Sequence, residues 1–150
     1  MTDVTPYGEA LADGIEAALP GWVESSVSRI MHAWAGCLPA EVEAQAAQAG
    51  QRAQQELGVE IRQLLTADID QQRSTPLAIL RSIGVRYPTE VLRSAGVPPV
   101  ERDSFVERAF PEDTYGLAPA SFSDLTPELQ DTGLAWGAAK AFEHKRRHQS

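Results

Sequence analysis

Cysteine is nearly absent. Cys37 stands alone among 150 residues, so no internal disulfide can form, and a lone cysteine fits a reducing compartment. A chain of this length buries roughly 68–70% of the surface its unfolded form exposes, so it needs no covalent or metal staple. No run of eighteen apolar residues occurs, which excludes a membrane-spanning helix. Residues 1–6 lack a basic stretch followed by an apolar one, so no secretory leader is expected there, and a cytoplasmic location is the expectation. Runs of alternating β-branched residues are also missing, which argues against a sheet.

Positive charge is scarce and unevenly placed. The net charge is −8, and lysine contributes only two of thirteen cations. Residues 1–60 hold nine acids against two arginines, a net −7. Residues 61–110 hold seven arginines against six acids, a net +1, and residues 111–150 return to −2. An acidic first half argues against general nucleic-acid binding, which needs clustered cations for phosphate. With 43% hydrophobic and 23% charged residues the composition is that of a globular domain, not of a disordered chain.

What is present is helical spacing. Thr5 and Pro6 suit the cap and first position of a helix, and Tyr7, Leu11, Ile15 and Ala18 then share a face. Pro20-Gly21 is expected to end it, with a second helix over 22–35 carrying Val23, Val27, Ile30, Met31 and Trp34. Gly36 and Pro39 mark the next boundary. After Pro39 there is no proline as far as Arg73, and Val42, Ala46, Ala49, Ala53, Leu57, Ile61, Leu64 and Leu65 follow 3–4 spacing. Unbroken, such a helix is about 50 Å long, against roughly 40 Å for a compact domain of this size. It must project, or bend at Gly50 or Gly58.

One hexapeptide repeats. Leu80-Arg81-Ser82-Ile83-Gly84-Val85 recurs twelve residues on as Leu92-Arg93-Ser94-Ala95-Gly96-Val97. Each reads as a helix stop, with glycine in the left-handed region and valine folding back on leucine. This predicts short helices at 76–83, 89–95 and 100–109, and positive φ at both Gly84 and Gly96. The connection over 110–126 carries Phe110, Tyr115, Leu117, Phe122 and Leu125, apolar enough to be pinned across the body. A last helix starts near Thr126-Pro127-Glu128, with Gly133 as a possible break and a frayed polar tail over 145–150.

The sequence therefore predicts one all-α domain over 1–150, a bundle of about six or seven helices around one long central helix. No catalytic, metal-binding or nucleotide-binding motif stands out, and no cofactor is expected. His144 and His148 have a chelating i, i+4 spacing, but three cations lie between them, and the spacing reads as a basic helix end. Glu56, Glu60 and Asp68-Asp70 lack the paired Glu-x-x-His partners of a di-iron bundle and read as a solvated face.

The function expected is that of a cytoplasmic interaction module: an adaptor, regulator or assembly subunit working through helical surfaces. Its partner is a protein or a second copy bound through the 39–60 helix, where Ala46, Ala49 and Ala53 form a stripe of little bulk. Arg73, Arg81, Arg86 and Arg93 form a second candidate contact, a local +3, with at least two expected on one patch. Trp136, between Gly133 and Gly137, is a candidate anchor. Two alternatives stand beside this reading. A DNA-binding regulator would use 76–109 as a helix-turn-helix, although Glu90 and Arg102 occupy positions that such a unit fills with apolar residues. A small enzyme or ligand-binding protein would need a pocket near His32 and Cys37.

Overall fold

The computed structural model of the chain describes residues 5–66 and 76–149, with side chains for all of these except 5, 66, 106, 144 and 147–149. Among the described residues every regular element is a helix. The all-α class read from the sequence is therefore what the chain adopts.

Helix α1 (Thr5–Ala35) and helix α2 (Ala40–Thr66) form an antiparallel hairpin. Gly36 turns the chain between them at φ +76°, a conformation that side chains bearing a Cβ rarely adopt. The antiparallel register shows in paired contacts. A Cβ at Gly8 would meet the Leu65 carbonyl, one at Gly58 would meet Glu16, and one at Gly50 would meet Pro20. Leu11, Ile15, Leu19, Val23, Val27 and Met31 recur every four residues along α1 and are buried. Facing them are Val42, Ala46, Ala49, Ala53, Leu57, Ile61 and Leu65 of α2. The described part of the long helix, Ala40–Thr66, packs along α1, and residues 67–73 of the expected helix lie outside the described residues. Helix α2 lies along a partner of similar length, 31 residues against 27, so the chain is built on two long helices and not one.

The expected break at Pro20-Gly21 does not occur, and its absence has a local cause. Proline has no N–H to give the carbonyl of Glu16, four residues earlier. That carbonyl instead accepts a hydrogen bond of 3.1 Å from Gln54 Nε2 on α2. Beside it, a Cβ at position 50 would lie 2.9 Å from both the Cα and the carbonyl oxygen of Pro20. Gly50 is therefore a point of close approach between the two backbones and not a weak point in α2.

Helix α3 (Pro76–Ile79) runs on as a π-helical turn (Leu80–Gly84) and, after Val85 alone, as helix α4 (Arg86–Ser94). Val85 N–H bonds the Leu80 carbonyl at 3.2 Å, and Val97 N–H bonds the Leu92 carbonyl at 3.1 Å. The two repeats thus close the same six-residue ring. Only the second takes the left-handed glycine, with Gly96 at φ +81° and its N–H on the Arg93 carbonyl. Gly84 keeps a right-handed backbone, which corrects the reading of two identical stops. A Cβ there would crowd Leu80, Leu57 and Trp22, so Gly84 serves close packing against the hairpin. Pro88 lies in the first turn of α4, where a missing N–H costs little. Pro98-Pro99 after Gly96 cannot continue a helix. With α3, the π turn and α4 taken as one continuous helix, the described residues hold five helices, slightly fewer than the expected six or seven, because Pro20 divides nothing and Gly84 ends nothing.

Helix α5 (Ser104–Ala109), a 3-10 turn (Phe122–Asp124) and helix α6 (Leu129–Gln149) complete the chain. The stretch before α6 is held by side-chain-to-backbone bonds. Asp113, itself buried, accepts from the N–H groups of Leu117 and Ala118, and Tyr115 donates to the Val97 carbonyl at 2.7 Å. Arg102 donates to the carbonyls of Phe110 and Asp113. Gly133 does not break α6. It packs against the Phe122 ring, just as Gly14 of α1 packs against Leu129.

Candidate interaction surfaces

The alanine stripe is the first correction. Ala46, Ala49 and Ala53 are 2%, 4% and 0% exposed, buried against α1 within the same chain. Their small size does permit close helix approach, as the sequence suggested, but the helix that approaches is α1. No face is left there for a second copy or a partner.

The arginines divide. Arg73 lies outside the described residues. Arg81 and Arg86 line one cavity of about 250 Å³, with Ile83, Phe110 and Pro111 as its apolar walls. Each already has partners within the chain. Arg81 donates from Nε to the Pro119 carbonyl at 2.8 Å and from Nη2 to the Ala120 carbonyl at 2.9 Å. Arg86 meets Glu112 in a two-pronged contact of 3.0 and 2.8 Å. Its hydrogen bond to Glu112, and secondarily the charge of that carboxylate, raises the guanidinium above its ordinary value. The same contact holds the Glu112 carboxyl below the usual carboxylate range. These two arginines tie the α3–α4 segment to the connection that follows it. Arg93 is exposed on α4 and sits away from this cavity. Glu90, three residues before it on α4, lies 3.6 Å from Arg52.

Arg52, Glu56, Tyr87 and Glu90 form a polar cluster where α2 meets α4. Tyr87 donates its hydroxyl to Glu56, and Arg52 stands 5.6 Å from the centre of the Tyr87 ring. Burial first, and then the bond to Glu56, push the Tyr87 hydroxyl well above its ordinary value of 10. The cluster cross-links two helices.

The structure places the residues of both alternative readings. The helix-turn-helix over 76–109 would need a turn of three or four residues between two helices. Only Val85 separates the π turn from α4, and an extended stretch precedes the six-residue α5. His32 is exposed on α1 with Nδ1 donating to the Ser28 carbonyl at 2.8 Å, and Cys37 is exposed in the hairpin loop. Neither lines the Arg81 cavity, nor a second one of about 290 Å³ between α1 and the connection, walled by Trp22, Ser26, Arg29, Leu117 and Asp124. Among the described residues no group of three His, Cys, Asp or Glu converges as metal ligands. No described helix is long and apolar enough to cross a membrane. The side chains of His144 and His148 lie outside the description.

Trp136 is half-buried against the core, with Lys140 Nζ 5.0 Å from its ring centre. It anchors α6 to its own chain. The opposite face of that helix is the surface that the sequence reading missed. At 100° per residue, Leu134, Ala135, Ala138, Ala141 and Phe142 share one side of α6, and all five are exposed. Leu134 is 65% exposed and Phe142 55%. Gly133, Ala139 and Glu143 fall on the buried side. The signal was available as a helix with apolar residues on both faces, only one of which a domain core can cover. No protein-family model, curated protein or solved structure matches the chain.

Proposed function

We propose that the chain is a helical protein-interaction module and that its binding surface is the outward face of α6. The observation that carries this reading is the exposure of Leu134 and Phe142 on one apolar face about two and a half turns long. Single exposed apolar residues are ordinary, whereas a contiguous apolar face bounded by charge is a feature of contact surfaces. Here Asp131 bounds it at one end and Lys145 at the other. Fully burying a leucine or phenylalanine side chain stabilises by about 1.5–3 kcal/mol, a contribution that this face leaves unused in the isolated chain. The arginines of the Arg81 cavity are weaker candidates, because carbonyls and Glu112 already occupy them.

The test is a photo-cross-linking side chain introduced at Ala138, in living cells, with Ala44 on the exposed side of α2 as the control position. Discrete cross-linked products from position 138 and none from 44 are expected. Equal yields from the two positions would remove the assignment.

A further inference from the structure

The residues of the α6 face are arranged symmetrically about Ala138. Leu134 and Phe142 stand four residues to either side, Ala135 and Ala141 three, and Asp131 and Lys145 seven. Along a helix these offsets are about 6, 4.5 and 10.5 Å. We infer that this face pairs antiparallel with a second copy of the chain, about a two-fold axis passing beside Ala138. The inference rests on the binding surface proposed above and names its occupant.

An antiparallel pair related by such an axis brings each residue level with the one equally far from Ala138 on the other side. Leu134 then lies beside the partner's Phe142, so the two largest exposed apolar side chains of α6 cover each other at both ends of the contact. Ala135, Ala138 and Ala141 lie at the crossing, where small side chains let helix axes approach to the short end of the usual 8–10 Å. Asp131 comes level with the partner's Lys145, and by symmetry the reverse, giving an ion pair at each end.

The charges choose the direction. A parallel pair would set Asp131 against Asp131 and Lys145 against Lys145, like charges at both ends, which discriminates against that arrangement. An isologous contact of this kind closes on itself and leaves no apolar face over for further association. A different protein could bury the same face, but nothing in its chemistry would call for the symmetry about Ala138. An apolar face about two and a half turns long makes a contact at the small end of specific interfaces, so dissociation in the micromolar range is expected.

Sedimentation velocity of the purified chain, from low to several hundred micromolar, is the primary measurement. The weight-average mass should rise from 16.3 kDa toward twice that value. Leu134→Glu and Phe142→Glu should each weaken association at least about tenfold, since each acts twice in a symmetric dimer. The far-UV circular dichroism should not change, because both side chains are exposed in the single chain. Register is read separately. Asp131→Lys and Lys145→Asp should each weaken the dimer, and the double exchange should restore it. In a Cys37→Ser background, Ala138→Cys should cross-link to itself through a short bis-maleimide more readily than Asp131→Cys does. A single 16.3 kDa species throughout would overturn the dimer, as would association that survives both glutamate substitutions. If the chain is monomeric while position 138 still cross-links another protein in cells, the interaction-module reading stands and only the second-copy inference fails. A charge exchange that does not restore association overturns the antiparallel register.

Discussion

Replacing Gln54 by alanine should destabilise the protein only as long as residue 20 is proline. In the native chain the Glu16 carbonyl has lost its helical donor to Pro20 and is bonded by Gln54 Nε2 at 3.1 Å. An ordinary hydrogen bond contributes about 0.5–1.5 kcal/mol net, and more when a buried acceptor is left without a partner. The site is part-buried, so about 1 kcal/mol is expected for Gln54→Ala. In a Pro20→Ala background the new N–H reaches the Glu16 carbonyl along the helix, and the same substitution should cost close to nothing. The four proteins form a double-mutant cycle with a coupling of about 1 kcal/mol. Pro20→Ala alone should stabilise, by up to about 3 kcal/mol, the interior proline penalty. The close approach of Gly50 is kept, because it is made to the Cα and carbonyl oxygen of residue 20, not to the ring. Urea unfolding followed by circular dichroism reads the cycle, and for a chain this size about 1 kcal/mol also moves Tm by about 2–4 °C. Equal costs of Gln54→Ala in the two backgrounds would refute the idea that Gln54 stands in for the missing donor.

Four further outcomes follow from the packing and from the Arg86–Glu112 contact. Gly50→Ala should lower stability by about 1–2 kcal/mol, since a Cβ 2.9 Å from the Pro20 backbone forces the helices apart by more than the propensity gain recovers. Gly21→Ala, where nothing lies within 4 Å, should instead raise it by up to about 1 kcal/mol, and the two opposite signs are read by urea unfolding. Gly96→Ala should cost about 1 kcal/mol or more through its left-handed backbone, while Gly84→Ala should cost less in the same assay, because only side-chain contacts at 3.3 Å and beyond oppose it. Glu112 titrates below its ordinary value of 4.5 in the folded chain, so its contribution is full above that pH and is lost as pH falls through the folded value. The Tm gap between the native chain and Glu112→Gln should therefore stay constant above pH 4.5 and close below it. A gap that does not change with pH would show the Arg86 contact to be without effect on stability.

Much of the helical layout was legible because α-helical burial has a period that survives in the sequence. The stripe from Val42 to Leu65 gave α2, and the pattern Leu92 to Val97 with Pro98-Pro99 behind it gave the stop at Gly96. The same logic, followed across Pro20, would have found α1 whole, since Leu11, Ile15, Leu19, Val23, Val27 and Met31 keep their spacing through it. Locally, proline outweighs the stripe, because the residue that offsets its missing donor, Gln54, lies far away in the sequence. The candidate contacts were less legible. Ala46, Ala49 and Ala53 mark a close approach, but a small-residue stripe does not say whether the approaching helix belongs to the same chain.

The sequence by itself determined the class, the α2 stripe and the need to pin the connection over 110–126, because these depend on local period and composition. Tertiary structure alone decided three things. It decided that Pro20 lies inside a helix, since a donor from α2 reaches Glu16. It decided that two near-identical hexapeptides end differently, since Gly84 is seated against Leu57 and Trp22 while Gly96 faces open space. It decided which apolar faces remain uncovered, since each face is hidden or shown by residues distant in the chain, and only the assembled hairpin leaves Leu134 and Phe142 of α6 in solvent.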